Sequence, residues 1–327
     1  MEALKVKPKL FSVIVLVSLL LLSFSTGVFG QDYPNKPITV YCAYTADTTD
    51  MTTRSLAEGV EKIFGVPVVV ENKPGGGSTV CAGLLAAKKP DGYTLGVIST
   101  GALRLLPHLM KISYDPLKDF TLIMQYSRFL GGLCVLSESP VKTVGDFIAY
   151  AKAHPNLSYG SPGMYSQQHL AVELFAQCKG LTFRHVPFKS GAETSTALLG
   201  KHIDFAAGSG THLRYVKQGV FREILTYNSN KRSHYNQKVP TLEEIGCQDF
   251  PANAMVLVGP KGLPEPIVKK LGEAFKKVSE SEAFQSKLVS LDLPYDYKGQ
   301  AQLEKEIPQL YEAGKALLTK MGVKKVE

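Results

Sequence analysis

Apolar and polar positions alternate along the chain in a pattern that predicts short strands separated by helices. The apolar run at residues 37–43 has the length and the boundaries of a strand. In the stretch that follows, Leu56, Val60 and Ile63 recur at the spacing of one helical face, and Gly65 is a typical helix stop. The first unit is therefore a strand followed by a helix.

The same two patterns recur through the rest of the chain. Further strands are predicted at 66–72, 91–100, 133–137, 157–163, 183–188, 202–208, 221–228 and 253–260. Further helices are predicted at 78–89, 143–155, 166–180, 264–281 and 300–321. This alternation is typical of an α/β protein in which helices cover a parallel sheet.

The pattern restarts around Gly131 and Gly132, which gives two comparable α/β halves without a disordered linker. This arrangement predicts two domains, with a chain that passes between them more than once. Small ligands commonly bind in the cleft between two such domains. We therefore expect a small-molecule site between the halves.

The first thirty residues differ from the rest. Lys5, Lys7 and Lys9 precede a long apolar run, and small or neutral residues lead up to Gly30. This composition predicts a cleaved signal peptide over residues 1–30 and export to the periplasm. An uncleaved membrane anchor is the alternative, because the run is close to the length that spans a membrane.

Charge and cysteine content limit the classes of partner. The leader contains three lysines and one glutamate, so its removal lowers the net charge from +8 to +6. Lysine and arginine are scattered without aromatic interleaving, which does not favour nucleic acid, and a small anion is the expected partner. The five cysteines lack CxxC spacing and lie mostly in apolar contexts, which favours buried thiols, although a disulfide pair remains open.

A glycine-rich stretch at residues 71–82 follows the second predicted strand and precedes a helix. Such turns present backbone N–H groups and a helix dipole to anions. The stretch lacks the GxxxxGK[ST] spacing of a phosphate loop, so a carboxylate bound by N–H groups is the better functional interpretation. A plain tight turn is the alternative.

Several blocks spread over the mature chain carry a resemblance to a known family. They are YPNKPITV (33–40), Thr49, Asp50 and Arg54, VVVENKPGGGS (68–78), PDGYTL (90–95), YDPLKDF (114–120), HLAVELF (169–175), HVPFKSG (185–191) and KRSHYNQKVPTLEE (231–244). With this order and spacing the chain resembles the extracytoplasmic solute receptors of tripartite tricarboxylate transporters, the TctC or Bug family.

The resemblance implies a type 2 periplasmic-binding-protein fold, with two α/β lobes around a ligand cleft. Lobe 1 would comprise residues 31–131 plus about 253–327, including the C-terminal helices, and lobe 2 about 132–252. The implied function is the capture of a small organic carboxylate for the permease subunits of a membrane transporter. Neither catalysis, nor a cofactor, nor a metal is implied, and a monomer is expected.

Family receptors hold the ligand carboxylate partly with the loop after the first strand. In this chain Tyr44 and Thr45 replace prolines of that loop, while Ala46 and Asp47 replace glycines. Side chains therefore enter a region where the family offers bare backbone. Asp47 has three interpretations: a solvated loop residue, a helix cap, or a partner for a cationic group on the ligand. Asp50 is expected to cap the following helix.

In the second lobe, residues 161–169 align with a serine- and glycine-rich helix start of the family. Ser166 is the expected N-cap, and the N–H groups of Gln167 and Gln168 would face the cleft as an anion site. Tyr165 replaces a glycine, so its ring either narrows the pocket, stacks on a planar ligand or packs against the protein. His169 is expected to be a structural hydrogen-bonding group.

Loops after two other strands are expected to complete the cleft. At Gly208 some relatives carry an aspartate that can meet a ligand amine, so its absence is expected to leave room for a bulkier ligand. The expected contact residues are Tyr44, Thr45, Asp47, Thr48, Thr49, Gly76, Gly77, Ser78, Ser99, Thr100, Ser161, Gly163, Tyr165, Ser166, Gln167, Gln168, Gly208 and Ser209.

Other classes of protein are less well supported. An exported hydrolase would need a nucleophile elbow such as GxSxG, and the sequence contains none. A zinc enzyme is also unsupported, because the histidines show no HExxH or other close metal pair. A transcription-factor effector domain shares the fold class, but the chain has a leader and no helix-turn-helix head. A receptor that presents its ligand to a membrane sensor kinase remains an open alternative to one that delivers it to a permease.

Overall fold

The structure is a computed structural model that describes residues 33–45, 48–227, 238–247, 250 and 252–323. Every helix and strand given below lies in the compact unit that spans residues 36–327. The predicted leader, Ala46, Asp47 and residues 228–237 lie outside the described residues.

Strands and helices follow one another closely along the described chain. The strands are β1 (Ile38–Cys42), β2 (Val68–Asn72), β3 (Thr94–Ser99), β4 (Phe120–Arg128), β5 (Gly132–Leu136), β6 (Leu157–Ser161), β7 (Phe183–Pro187), β8 (Phe205–Gly208), β9 (Phe221–Thr226), β10 (Ala254–Pro260) and β11 (Tyr295–Gly299). The helices are α1 (Thr48–Phe64), α2 (Thr79–Ala86), α3 (Thr100–Arg104), α4 (Leu106–Leu109), α5 (Val144–Ala153), α6 (Gln167–Lys179), α7 (Gly191–Leu199), α8 (Leu213–Lys217), α9 (Glu265–Ser279), α10 (Glu282–Ser290) and α11 (Gln300–Lys320).

The first sheet has the strand order β11-β4-β10-β3-β1-β2. Strand β1 pairs in parallel with both β2 and β3, so that Thr39 lies opposite Val69 on one side and Thr94 on the other. Strand β10 is antiparallel to its neighbours β3 and β4, and β11 is antiparallel to β4. The predicted parallel arrangement therefore holds for β1 to β3, and the sheet as a whole is mixed.

The second sheet has the order β7-β6-β8-β5-β9, with β6 parallel to β7 and β8, and β5 antiparallel to β8 and β9. It takes all its strands from residues 132–226, while the first sheet takes its strands from both flanking parts of the chain. The restart predicted at Gly131 and Gly132 thus coincides with the change of sheet. A Cβ on Gly131 would lie 2.3 Å from Cε2 of Tyr227, so close packing explains a glycine at this position.

The core against the second sheet is rich in aromatic rings. The ring of Phe205 lies 5.0 Å from that of Phe147 and stacks on Tyr159 at 5.2 Å. The same cluster contains Leu105, from the segment between β3 and β4 of the first sheet, and Leu317 of α11. Full burial of each large apolar side chain contributes about 1.5–3 kcal/mol. The two parts of the chain therefore share one core region.

The core against the first sheet is formed mainly by aliphatic residues. Val256 and Val258 of β10 pack in one cluster with Ile98 of β3 and Leu303 of α11. These strands are buried on both faces, which explains their nearly uninterrupted apolar sequence. Among the described residues, no helix is both long enough and apolar enough to cross a membrane.

The cysteines divide into two groups. Cys178 and Cys247 form a disulfide that joins the last turn of α6 to the segment between β9 and β10. Cys42, Cys81 and Cys134 are free and buried, and burial raises the pKa of the Cys81 thiol to about 12. The preferred interpretation of buried thiols is therefore correct for these three cysteines and wrong for the bonded pair.

Candidate functional site

The glycine-rich loop after β2 is a tight turn with left-handed backbone. Gly75, Gly76, Gly77 and Ser78 all have positive φ, between 56° and 132°. The N–H of Ser78 and that of Val80 both donate to the carbonyl of Gly75, at 3.1 and 3.4 Å. These two donors are committed within the loop, which favours the tight-turn interpretation for this part of it.

Ser78 and Ser99 join this turn to the loop after β3. The buried Ser78 Oγ accepts a hydrogen bond from the N–H of Ser99 at 3.0 Å. The Ser99 hydroxyl donates in return to the carbonyl of Gly77 at 3.3 Å. Two of the predicted site loops are thereby brought together, and Gly76 and Gly77 remain exposed.

The loop after β1 is organised by Asn72, a residue that the sequence did not single out. Its Nδ2 donates to the carbonyl of Tyr44 and to Oδ1 of Asp50, both at 2.6 Å. Arg54 donates to the same carboxylate through Nε at 3.1 Å. Helix α1 begins at Thr48, so Asp50 lies inside the first turn and not at the expected N-cap position.

Tyr44 adds an aromatic surface to this loop. Its half-buried ring meets the ring of Phe129 edge-on, with 5.9 Å between the centroids. Phe129 follows β4 and lies in the short connection to the second sheet. A tyrosine where the family has proline thus places a ring next to this connection. Thr45 is exposed, while Thr48 and Thr49 form the first residues of α1.

The start of α6 has the predicted geometry. The Ser166 Oγ accepts a hydrogen bond from the N–H of His169 at 3.2 Å, which confirms Ser166 as the N-cap. Gln167 and Gln168 occupy the first two helical positions, and both side chains are buried. The first N–H groups of a helix have no acceptor within the helix, so this end carries partial positive charge.

Tyr165 keeps the backbone conformation of the glycine that it replaces. Its φ is 58°, which costs a residue other than glycine about 1–3 kcal/mol. Its N–H donates to Nδ1 of His169 at 2.9 Å, and the two rings lie 5.8 Å apart. The tyrosine ring also lines a cavity of about 330 Å³ together with Met321 and Val323. These contacts favour the packing interpretation of this ring.

Ser161 is the centre of a buried polar network beneath the start of α6. Its hydroxyl donates to the carbonyl of Gly163 at 3.0 Å, and its Oγ lies 2.7 Å from Nε2 of His185. Ser166 donates to the same Oγ at 3.4 Å. If Ser161 donates to Gly163, then His185 donates through Nε2. The network fixes the turn that leads into the helix.

The two histidines of this region carry no charge at neutral pH. Burial lowers the pKa of His185 to about 4, and burial together with the neighbouring His185 lowers the pKa of His169 to about 3. His169 already accepts from Tyr165, which makes it the structural hydrogen-bonding group that the sequence predicted. An anion at this end of α6 would therefore meet neutral donors and the helix dipole.

The contact between Ser161 and His185 resembles one element of a hydrolase site. In the described part of the chain, Nδ1 of His185 is buried and has no hydrogen-bond partner, so no carboxylate orients the ring. Ser161 itself is fully buried. A nucleophile needs both a base oriented by a third group and access to the substrate. This geometry does not support the hydrolase alternative.

The loop after β8 is packed more tightly than expected. A Cβ on Gly208 would lie 2.4 Å from Cγ of His212, so the histidine ring fills the space beside this glycine. The expectation of room for a bulkier ligand at Gly208 is therefore wrong on that side. His212 is buried and accepts from the N–H of Gly210 at Nδ1, while Nε2 faces Oε1 of Glu223 at 3.5 Å.

Ser209 follows this glycine and approaches the start of α7. A Cβ on Gly191 would lie 2.0 Å from the Ser209 Oγ, which explains the glycine at the first position of that helix. The carbonyl of Gly208 accepts from the hydroxyl of Tyr227 at 2.8 Å. The hydroxyl of Tyr227, just after β9, thus fixes the end of β8 from which this loop starts.

One residue connects the start of α3 to the start of α6. Oδ1 of Asn253 accepts from the Thr100 hydroxyl at 2.8 Å, and its N–H donates to Oε1 of Gln167 at 2.8 Å. No local pattern marks this role, because Asn253 looks like the first residue of a strand and its partners are distant in the chain. Among the described residues, no group of histidine, cysteine and acidic side chains could hold a metal ion.

Two mixed α/β sheets, with helix starts and tight turns between them, define the type 2 periplasmic-binding-protein class, which has two α/β lobes around a ligand cleft. Residues 52–323 match the family described as the tripartite tricarboxylate transporter family receptor, TctC. The chain belongs to this family of solute-binding receptors.

The individual relatives agree with this assignment. A UPF0065 protein from the gbd 5' region of Cupriavidus necator is 38% identical over 300 residues, 91% of each chain. The periplasmic binding protein BugD is 26% identical with a TM-score of 0.81, over 90% of this chain and 100% of its own. Rpa4515 of R. palustris, solved with adipate, is 24% identical with a TM-score of 0.82, over the same shares of the two chains.

Proposed function

We propose that the protein is a periplasmic receptor that captures a small organic carboxylate and delivers it to the permease of a tripartite tricarboxylate-type transporter. The observation that carries the proposal is the start of α6, where Ser166 caps the helix and Gln167 and Gln168 occupy its first two positions. The structural relative that was solved with adipate adds support for the ligand class.

The start of α6 can bind a carboxylate through neutral donors. Hydrogen bonds from backbone N–H groups to an anion are stronger than those between neutral groups, and a helix start adds a favourable dipole. With the pKa of His169 and of His185 well below neutrality, neither ring adds a full positive charge. Binding without a formal ion pair favours an affinity that still permits release to a membrane partner.

We further propose that the ligand is bound by the loops at 44–50 and 161–168 from opposite lobes, which close over it. Lobe 1 would comprise residues 31–131 and 253–327, and lobe 2 residues 132–252. Closure would create the surface that the permease recognises, because only the closed state aligns the two lobes. Compaction of the protein on ligand binding, measured by X-ray scattering, is the expected result.

The proposed location is the periplasm, reached through a leader at residues 1–30 that is removed during export. The disulfide between Cys178 and Cys247 supports this location, because such bonds form and persist in oxidising compartments. Mass spectrometry of the protein purified from the periplasm tests the cleavage. A species that begins at Gln31 is expected, and an intact leader would contradict it.

The ligand class is tested by a thermal-shift screen of the purified leaderless protein. The panel contains mono-, di- and tricarboxylates, aromatic acids and amino acids, with phosphate and nucleotides as controls. A concentration-dependent rise of Tm with one class of carboxylate is expected. A response to phosphate or nucleotides with no response to any carboxylate would overturn the proposed function.

A further inference from the structure

Asn253 lies where the chain returns from the second sheet to the first. Its N–H donates to Oε1 of Gln167 at 2.8 Å, and its carbonyl accepts from the N–H of Phe129 at 2.8 Å. Gln167 is the first residue of α6, and Phe129 begins the outward connection between the sheets. The backbone of this one residue therefore joins both connections and one half of the candidate site.

The side chain of Asn253 holds the other half. Oδ1 accepts from the N–H of Gly101 at 2.6 Å and from the Thr100 hydroxyl at 2.8 Å. The Thr100 Oγ1 accepts from the N–H of Ala254 at 2.9 Å, so its own hydrogen is free to point at Oδ1. Because the Gly101 N–H can only donate, these contacts identify the amide oxygen and fix the orientation of the side chain.

The fit between Asn253 and Gly101 depends on the glycine. A Cβ on Gly101 would lie 3.1 Å from Nδ2 and 3.3 Å from Oδ1 of the asparagine. A side chain at this position would crowd the amide, which would have to shift to make room for it. Asn253 thus occupies the N–H of Gly101 at this helix start.

We propose that Asn253 is a positioning residue that holds the starts of α3 and α6 in the relative placement that the candidate site requires. The inference rests on the proposed function for its binding consequences only. Its bonds join two predicted contact residues, Thr100 and Gln167. Thr100 begins the helix that follows β3 of the first sheet, and Gln167 begins the helix that follows β6 of the second. Truncation of the Asn253 side chain removes bonds to the start of α3 only. We expect it to loosen the start of α6 as well, because the backbone of the same residue binds Gln167.

The test compares Asn253→Ala with Asn253→Asp, which keeps an acceptor oxygen, and with Gln218→Ala, which removes an exposed amide away from both helix starts. Amide hydrogen exchange is measured without ligand in peptides covering residues 99–104 and 167–170. Asn253→Ala is expected to accelerate exchange about tenfold in both peptides, while Asn253→Asp and Gln218→Ala stay near wild type. The affinity of the Asn253→Ala variant for adipate is expected to be about tenfold lower than that of the wild type.

A merely local bond would give a different result. If Asn253→Ala accelerates exchange at residues 99–104 but leaves residues 167–170 unchanged, the positioning role is overturned. Unchanged exchange in both peptides would overturn it as well. If Asn253→Ala does not fold, Gly101→Ala replaces it, because the added methyl crowds the amide while Asn253 and its backbone bonds remain.

The exchange experiment is independent of the ligand. If the wild-type protein binds no carboxylate of the panel, the proposed function fails, and the exchange rates still decide the role of Asn253. If carboxylates bind but the exchange at residues 167–170 does not respond, the positioning role fails and the proposed function stands.

Discussion

The rings of His169 and His185 stack at 4.0 Å with only 8° between their planes. Two protonated rings at this distance would repel each other, and burial already disfavours the charged form. Protonation of either histidine is therefore unfavourable in the folded protein. Their position beneath the capped start of α6 links the protonation state of this region to the candidate site.

This pair predicts a loss of stability in mild acid. The pKa values in the folded state, about 3 and about 4, lie below the ordinary value of 6.5, so the unfolded chain binds more protons between these limits. The free energy of unfolding should be constant above about pH 6.5 with respect to these groups and should fall as the pH is lowered toward 4. Each histidine contributes a slope of at most about 1.4 kcal/mol per pH unit.

Urea denaturation at several pH values measures this slope. Replacing His185 by glutamine removes one titrating ring, so the variant should show a shallower decline than the wild type between about pH 6.5 and 4. Equal slopes in the two proteins would show that these histidines do not control the acid response.

The disulfide between Cys178 and Cys247 is expected to contribute strongly to stability. It closes a loop with a sequence separation of 69 residues. The chain-entropy relation for such a loop gives about 4 kcal/mol. The double substitution Cys178→Ser with Cys247→Ser should therefore lower the free energy of unfolding substantially, as measured in urea. Reducing agent should destabilise the wild type and have no effect on the double variant; the same response in both would contradict this assignment.

An ion pair between Lys217 and Asp292 joins the chain segment of the second sheet to that of the first. Asp292 is buried, whereas the lysine is half exposed. Such a partly exposed pair should be weakened by salt, because screening acts on the exposed charge. Lys217→Met should lower stability by about 1 kcal/mol at low salt and should reduce the salt dependence. Asp292→Asn tests the same pair while keeping a residue that tolerates its φ of 57°.

Much of the fold was predictable from sequence because its signals are local. The apolar runs of β1, β3 and β10 and the amphipathic α9 carry the periodicity that defines them. Strand β11, YDYKG, was not predicted, because its alternation of tyrosine with charged residues is too short to identify a strand that pairs with β4 at the edge of the sheet. The antiparallel insertion of β10 was also invisible, since nothing local in a buried strand reports its direction.

The candidate site was predictable where a local rule applies. Ser166 was recognised as a cap from its position before an amphipathic stretch. Asn72 and Asn253 were missed, because each acts through partners far away in the chain. The room expected beside Gly208 is filled by the ring of His212, and the sequence does not show where this side chain, four residues further on, will pack.

The packing at Gly208 predicts that an acidic residue there cannot simply convert the ligand class. Gly208→Asp would overlap His212, and the overpacking should cost about 1–3 kcal/mol of stability. Combining it with His212→Ala should recover part of this loss in thermal melts. A Gly208→Asp protein as stable as wild type, with new affinity for an amino acid, would contradict the close packing described above.

The cap at α6 predicts a separation of binding from stability. Ser166→Ala and Ser281→Ala each remove an N-cap, from α6 and α10 respectively, and each should cost about 1 kcal/mol of stability. Only the first should also weaken carboxylate binding, by about tenfold or about 1.4 kcal/mol. If both variants bind as tightly as wild type, the start of α6 is not the anion site.

The most direct test of the account is calorimetric titration with the carboxylic acid that gives the largest thermal shift and with its uncharged amide. If neutral donors and the dipole of α6 recognise the carboxylate charge, the acid should bind one to one and the amide at least about tenfold more weakly. Equal affinities for the acid and the amide would contradict recognition of a carboxylate at this site.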